Sequence, residues 1–181
     1  MSLDALYVTL RVPDPAAQTA LGALARLLGA AAPRGLERGR VWLCAGSWEA
    51  LDADEGVWHN PNKERLVRWR PGRPGGFGPP GAGERWVLVR ERGSRPEARA
   101  LRLLAERGLD TSGKLLGAQL WRLEFEPGES LDARAAEVAE VRDAAHGLLV
   151  NPHSQAFRVC APPASLDELA ARLAELEEEA R

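Results

Sequence analysis

Two stretches of this 181-residue chain read as copies of one another, and that repeat restricts its folds more than any single residue does. Arg40 to Gly46 (RVWLCAG) aligns with Gln119 to Phe125 (QLWRLEF), and Leu6 to Val12 (LYVTLRV) with Arg85 to Glu91 (RWVLVRE), both at an offset of 79. Farther on, Asn60-Pro61 ahead of LVRW matches Asn151-Pro152 ahead of FRVC at an offset of 91. The growth from 79 to 91 predicts one β-α-β-α-β unit used twice, the second copy carrying a longer second helix.

Local patterns fill in the unit. Leu6, Val8, Leu10 and Val12 alternate with Tyr7, Thr9 and Arg11, the period of a half-buried strand. Asp14-Pro15 then supplies an N-cap and a first-turn proline to a helix whose inward face is Ala17, Leu21, Leu24, Leu27 and Leu28, ending at Gly29. A second strand over 40–45, at most two helical turns over 48–57 and a short strand over 66–69 complete the first copy. In the second copy the spacing predicts a strand over 86–89, a helix over 96–108 with Ala98, Leu101, Leu104 and Ala105 inward, and a strand over 115–126. A helix capped by Ser130 or Asp132 follows, with Leu131, Ala135, Val138, Val141, Ala145 and Leu149 inward, and reaches Asn151-Pro152, where proline disfavours helical geometry in the residue before it. The last strand covers 156–160. Ser165 and Glu168 form a capping box ahead of Leu166, Leu169, Leu173 and Leu176.

The segment 70–83 (RPGRPGGFGPPGAG) holds four prolines and six glycines with no apolar period, which makes it a linker. The expected organisation is a first repeat over 1–70, a linker over 71–83, a second repeat over 84–163 and an amphipathic C-terminal helix over 164–181. The expected class is α+β: two ferredoxin-like repeats forming a pseudo-dimer, with helices on one face of mostly antiparallel sheets and the terminal helix over an edge or a partner.

Charge argues against polyanionic partners. The 24 basic and 26 acidic residues are interspersed, with a net charge of -2, so no footprint for nucleic acid or an anionic membrane stands out. No apolar run approaches the roughly 18 residues of a membrane-spanning helix, and the N-terminus lacks a basic region followed by an apolar one. A cytoplasmic protein is expected.

Little in the sequence points to catalysis. Cys44 and Cys160 form no C-x-x-C pair and fall inside strands, so buried thiols are expected. His59 and His153 flank the two Asn-Pro turns and His146 lies on the long helix; none has the spacing of a metal site, and no metal or cofactor is expected. A nucleophilic set of Cys44, His59 and Asp52 has no supporting spacing signature. The glycines of the linker lack the Gly-Lys-Ser/Thr ending of a phosphate loop and are interrupted by prolines. Trp42, Trp69, Trp86 and Trp121 fall in strands, Trp42 and Trp121 at matching places, which reads as sheet packing.

The residues resemble a known family. Leu115 to Val159, from LLGAQLWRLEFEP to GLLVNPHSQAFRV, looks like the small PurS subunit of phosphoribosylformylglycinamidine synthase, in which an acidic helix ends in a Leu-Leu-x-Asn-Pro turn before the final strand. Tyr7 to Gly29 is similar to that family's opening strand, Asp-Pro helix start and Ala-Leu-x-x-Leu-Gly helix end. Family members are about half as long and start their second strand with Gly-Lys, where this chain has Gly39-Arg40 and Gly117-Ala118.

The resemblance implies a tandem, non-catalytic accessory subunit of an ATP- and glutamine-dependent ligase in purine biosynthesis. Its partners would be the synthetase (PurL-like) and glutaminase (PurQ-like) subunits, with a homo-oligomer also open. Asn60, Asn151, His153 and Gln155 at the Asn-Pro turns and Arg11 and Arg40 on strand faces are the expected partner contacts; capping the turns is the purely structural role of the two asparagines. A regulatory module binding a small molecule between the copies is the alternative. A third option, an enzyme acting on a phosphorylated substrate through Arg11, Arg40 and His59, requires a pocket that gathers them.

Overall fold

A computed structural model describes residues 3–45, 55–69, 81–109, 111, 113–128, 130–143 and 146–181. The chain is α+β. Six strands form one open antiparallel sheet in the order β3-β1-β2-β5-β4-β8: β1 (Leu3–Leu10), β2 (Gly35–Ala45), β3 (Glu64–Trp69), β4 (Glu84–Glu91), β5 (Lys114–Glu124) and β8 (Gln155–Cys160). Among the described residues five α-helices accompany them: α1 (Pro15–Leu28), α2 (Glu55–Trp58), α3 (Glu97–Glu106), α4 (Leu131–Glu140) and α5 (Leu166–Glu179). Most of the linker expected over 71–83, the expected helical residues 48–54, Asp52 and Ala145 lie outside the described residues.

Both faces of the sheet are covered, so β1 is buried on both sides rather than half-buried. On one face Leu6, Val8, Trp42 and Cys44 pack with Trp58 of α2 and with Ala100 and Leu104 of α3. The same face continues through Val87, Val89, Trp121 and Leu123, which share a core with Ala17, Ala20 and Leu24 of α1 and with α4. The helix after β1 therefore shares its core with β4 and β5, and the helix after β4 shares its core with β1 and β2. On the opposite face Ala5, Tyr7, Val41, Leu43, Trp86, Leu88 and Leu120 lie under Leu169, Leu173 and Leu176 of α5. The expectation of helices on one face holds for α1 to α4. The terminal helix covers the other face instead of an edge, because its leucine stripe meets alternate strand positions that would otherwise be open to water.

Two helix starts follow the sequence closely, whereas ahead of α4 the expected cap does not form: Ser130 is left-handed at φ 58, its side chain makes no capping bond, and Asp132 lies inside the first turn. Asp14 Oδ1 accepts the Ala16 N–H at 2.9 Å ahead of Pro15, and Ser165 Oγ accepts the Glu168 N–H at 3.1 Å while Glu168 Oε2 accepts the Ala164 N–H at 2.9 Å. Inward faces differ more. In α1 the small residues Ala17, Ala20 and Ala23 are buried with Leu24, and Leu27 is exposed. In α3 Ala98 and Ala105 face solvent, the helix being rotated to bury Glu97, Ala100 and Leu104.

The long helix expected to run from 131 to 149 stops at Glu140. Val141 is extended at φ -57 and ψ 132, and a small hairpin of β6 (Arg142–Asp143) and β7 (His146–Gly147) follows, which places His146 on a strand. Leu149 and Val150 are buried nonetheless, and the Leu149 carbonyl accepts the Trp121 indole N–H at 3.1 Å. This tertiary bond and the pocket for both side chains outweigh the few tenths of a kcal/mol per residue of helix propensity.

Strand spacing also corrects one alignment. The eight-residue β1 and β4 begin at Leu3 and Glu84, 81 apart; the eleven-residue β2 and β5 begin at Gly35 and Lys114, 79 apart; the six-residue β3 and β8 begin at Glu64 and Gln155, 91 apart. The offset of 79 assigned to Leu6–Val12 is thus two residues short. A slip of two preserves which side chains share a face, so alternation alone does not expose it.

Candidate functional site

The two Asn-Pro turns are built alike. Asn60 Oδ1 accepts the Asn62 N–H at 3.1 Å, and Asn151 Oδ1 accepts the His153 N–H at the same distance. The Asn60 N–H donates to Glu64 Oε2 at 2.7 Å and the Asn151 N–H to Gln155 Oε1 at 2.7 Å, while each asparagine carbonyl accepts two further backbone N–H groups. Turn formation thus uses the side chains of Asn60, Asn151 and Gln155. Gln155 also donates its amide to Glu91, and His153 is exposed.

Arg11 and Arg40 gather at the first of these turns. Arg11 Nε donates to the Pro61 and Glu64 carbonyls at 3.0 Å each, and Arg40 Nη2 lies 2.8 Å from both oxygens of Glu64. Asn151, His153 and Gln155 form the second cluster. Because β3 and β8 are opposite edges running in opposite directions, the clusters occupy diagonal corners, separated by five strand spacings, roughly 24 Å, across the sheet and displaced along the strands as well. No described cavity joins Arg11, Arg40 and His59: Arg11 lines a cleft of about 370 Å³, Arg40 a groove of about 220 Å³ with Asp14, Arg38, Glu64 and Gln119, and buried His59 lines neither.

At the end of the sheet where β2, β3 and β4 begin, on the face that α5 covers, runs a chain of charges. Arg122 Nε lies 2.7 Å from Glu84 Oε1 and its Nη1 lies 2.7 Å from Glu37 Oε2. The same Glu84 oxygen accepts the Trp86 indole N–H at 2.8 Å. Each partner therefore compensates another, which is what keeps Glu84 and Arg122 tolerable out of water, while Glu37 reaches the surface.

Both cysteines are free and buried in strands, as expected. Burial pushes the Cys44 thiol up to about 12 and the Cys160 thiol up to about 11. Cysteine reacts as the thiolate. Neither thiol of the folded chain is expected to react with a disulfide reagent at pH 8, and both react once guanidinium unfolds it; labelling of the native chain at the rate of an exposed thiol would refute this. The sign for stability follows. The native state keeps protons that the unfolded chain releases near pH 9, so this contribution is complete below 9 and is lost as pH rises towards 11 and 12.

Among the described residues no group of three His, Cys, Asp or Glu side chains is placed to hold a metal ion, and no helix is long and apolar enough to cross a membrane. One feature escaped sequence reasoning. Arg90, at the end of β4, and Glu97, in the first turn of α3, form a buried pair with Arg90 Nη2 2.8 Å from Glu97 Oε1. An arginine and a glutamate seven residues apart on different elements carry no periodic signal. No family model, no curated protein and no solved structure matches the chain.

Proposed function

We propose that the chain is a non-catalytic assembly subunit, two PurS-like repeats fused into a pseudo-dimer that bridges the synthetase and glutaminase subunits of phosphoribosylformylglycinamidine synthase. One observation carries this reading. In the central β2-β5 pairing Arg40 lies opposite Gln119, two residues that the repeat itself makes equivalent, since 119 minus 40 is the 79 between β2 and β5. Two copies related by a twofold axis pair their shared edge in this self-matched way. The matched lengths of the three strand pairs and the like bonding of the two Asn-Pro turns add support.

On this reading the diagonal corners face different partners: Arg11, Arg40 and Asn60 one, and Asn151, His153 and Gln155 the other. Fusion keeps the copies at high effective concentration, so the pairing does not depend on dilution. Light scattering coupled to size exclusion tests it. Mixed with both large subunits, glutamine and ADP, the chain is expected to elute in a ternary complex; a chain that stays alone sinks the proposal. A second reading, a module that binds a small molecule, is favoured by a cavity beside the buried Arg90-Glu97 pair.

A further inference from the structure

We propose that this cavity, between the β4-α3 crossover and the C-terminal end of α5, binds a free α-amino acid, its ammonium on Glu97 and its carboxylate among Arg95, Lys114 and Arg181. The inference deepens the second reading above and is independent of the assembly role. The cavity measures about 610 Å³ and is lined by Arg90, Arg95, Glu97, Lys114, Glu177 and Arg181 among others, a size typical of small-molecule sites.

Glu97 supplies the strongest clue. Its side chain is 10% exposed and that of Arg90 4%. Arg90 is satisfied, donating to Glu97 Oε1 at 2.8 Å and to the Gly117 carbonyl at 3.2 Å. Glu97 Oε2 is buried with no hydrogen-bond partner. A buried charged acceptor without a donor is costly, so a ligand N–H placed there gains more than it would at the surface. The first crossover carries no arginine and glutamate at the matching positions. At the matching place on β1, 81 residues earlier, stands Thr9, and α1 opens on Pro15 where α3 opens on Glu97; the first crossover is tied instead by Asp14, its side chain 9% exposed, to Arg38 of β2 at 2.7 Å. Both oxygens of Asp14 accept hydrogen bonds, from the Ala16 N–H and from Arg38, so the bare Oε2 of Glu97 is what sets the second crossover apart.

The surrounding charges select the ligand. Lys114 and Arg181 lie 3.6 and 3.7 Å from Glu177, beyond hydrogen-bond range, which leaves their N–H groups available, and Arg95 makes no side-chain bond among the described residues. A simple anion would meet the bare oxygen of Glu97. A simple cation would meet a lining that is net positive, Arg90, Arg95, Lys114 and Arg181 against Glu97 and Glu177. A small zwitterion satisfies both ends.

Thermal melting of the full chain with each of the twenty standard L-amino acids tests the site, with acetate and methylammonium as single-charge controls. At about tenfold excess over Kd, one or more amino acids is expected to raise Tm by about 3–6 °C, and neither control to match it. Lys114→Ala, on an exposed side chain, is expected to keep the Tm of the free chain and weaken binding about tenfold or more, and Glu97→Gln to abolish it. Failure of all twenty, or binding unchanged in both variants, overturns the proposal. The chain is used alone, so the outcome is separate from assembly with the synthase subunits.

Discussion

Gly117→Val is expected to destabilise the chain severely, and trimming Trp42 in the same molecule to recover part of the loss. Trp42 and Gly117 are direct partners across β2 and β5, and a Cβ on Gly117 would stand 2.4 Å from Cζ3 of the indole. Trp42 cannot swing clear, being buried in a cluster with Leu6, Val8 and Leu104 and tilted against Trp58 at 6.1 Å between ring centroids. Overpacking of this kind costs about 1–3 kcal/mol or more. Trp42→Ala alone costs about 3–5 kcal/mol through lost burial and the cavity it leaves. In the double variant the valine occupies part of that cavity, so the combined loss falls short of the sum by about 0.5–3 kcal/mol. Urea midpoints of the four chains give the coupling; strictly additive losses would mean that the two residues do not share the space described.

The second large effect is at Gly83, where the chain enters β4. A Cβ there would lie 2.0 Å from the Phe125 carbonyl oxygen and 2.9 Å from its carbon, both backbone atoms. The two segments are also tied, since the Phe125 N–H donates to the Gly83 carbonyl at 3.0 Å and the Phe125 ring is fully buried. Relief requires moving one strand end away from the other, at a cost of about 3 kcal/mol or more. Gly83→Ala is therefore expected to lower Tm by about 6–12 °C for a chain of this size. Gly81 is the control: a Cβ there meets nothing within 4 Å, and Gly81→Ala should stay within about 0.5 kcal/mol of the parent. Equal melting of the two variants would refute the close approach.

The candidate site was partly legible in the same way as the turns. The Asn-Pro dipeptides report local bonding, because an asparagine side chain reaches the N–H two residues on, and that bond forms at both Asn60 and Asn151. Arg40 reaching Glu64, or Arg90 reaching Glu97, depends on how separate elements are brought together. Nothing in the neighbourhood of either arginine along the chain announces its partner.

What the sequence determined alone is what short-range physics can decide: strand periods, the caps at Asp14 and Ser165, the breaks at proline and glycine, and the repetition that gives β1 to β3 and the strands β4, β5 and β8 matching lengths. Tertiary structure decided the rest. It merged the strands into one sheet through the β2-β5 pairing, ended α4 at Glu140 so that Leu149 and Val150 could be buried, and turned α3 to bring Glu97 to Arg90. It also laid α5 over the second face. Each of these turns on apolar area or charge meeting a distant segment, and the free energy of such a meeting is a property of the pair rather than of either sequence window.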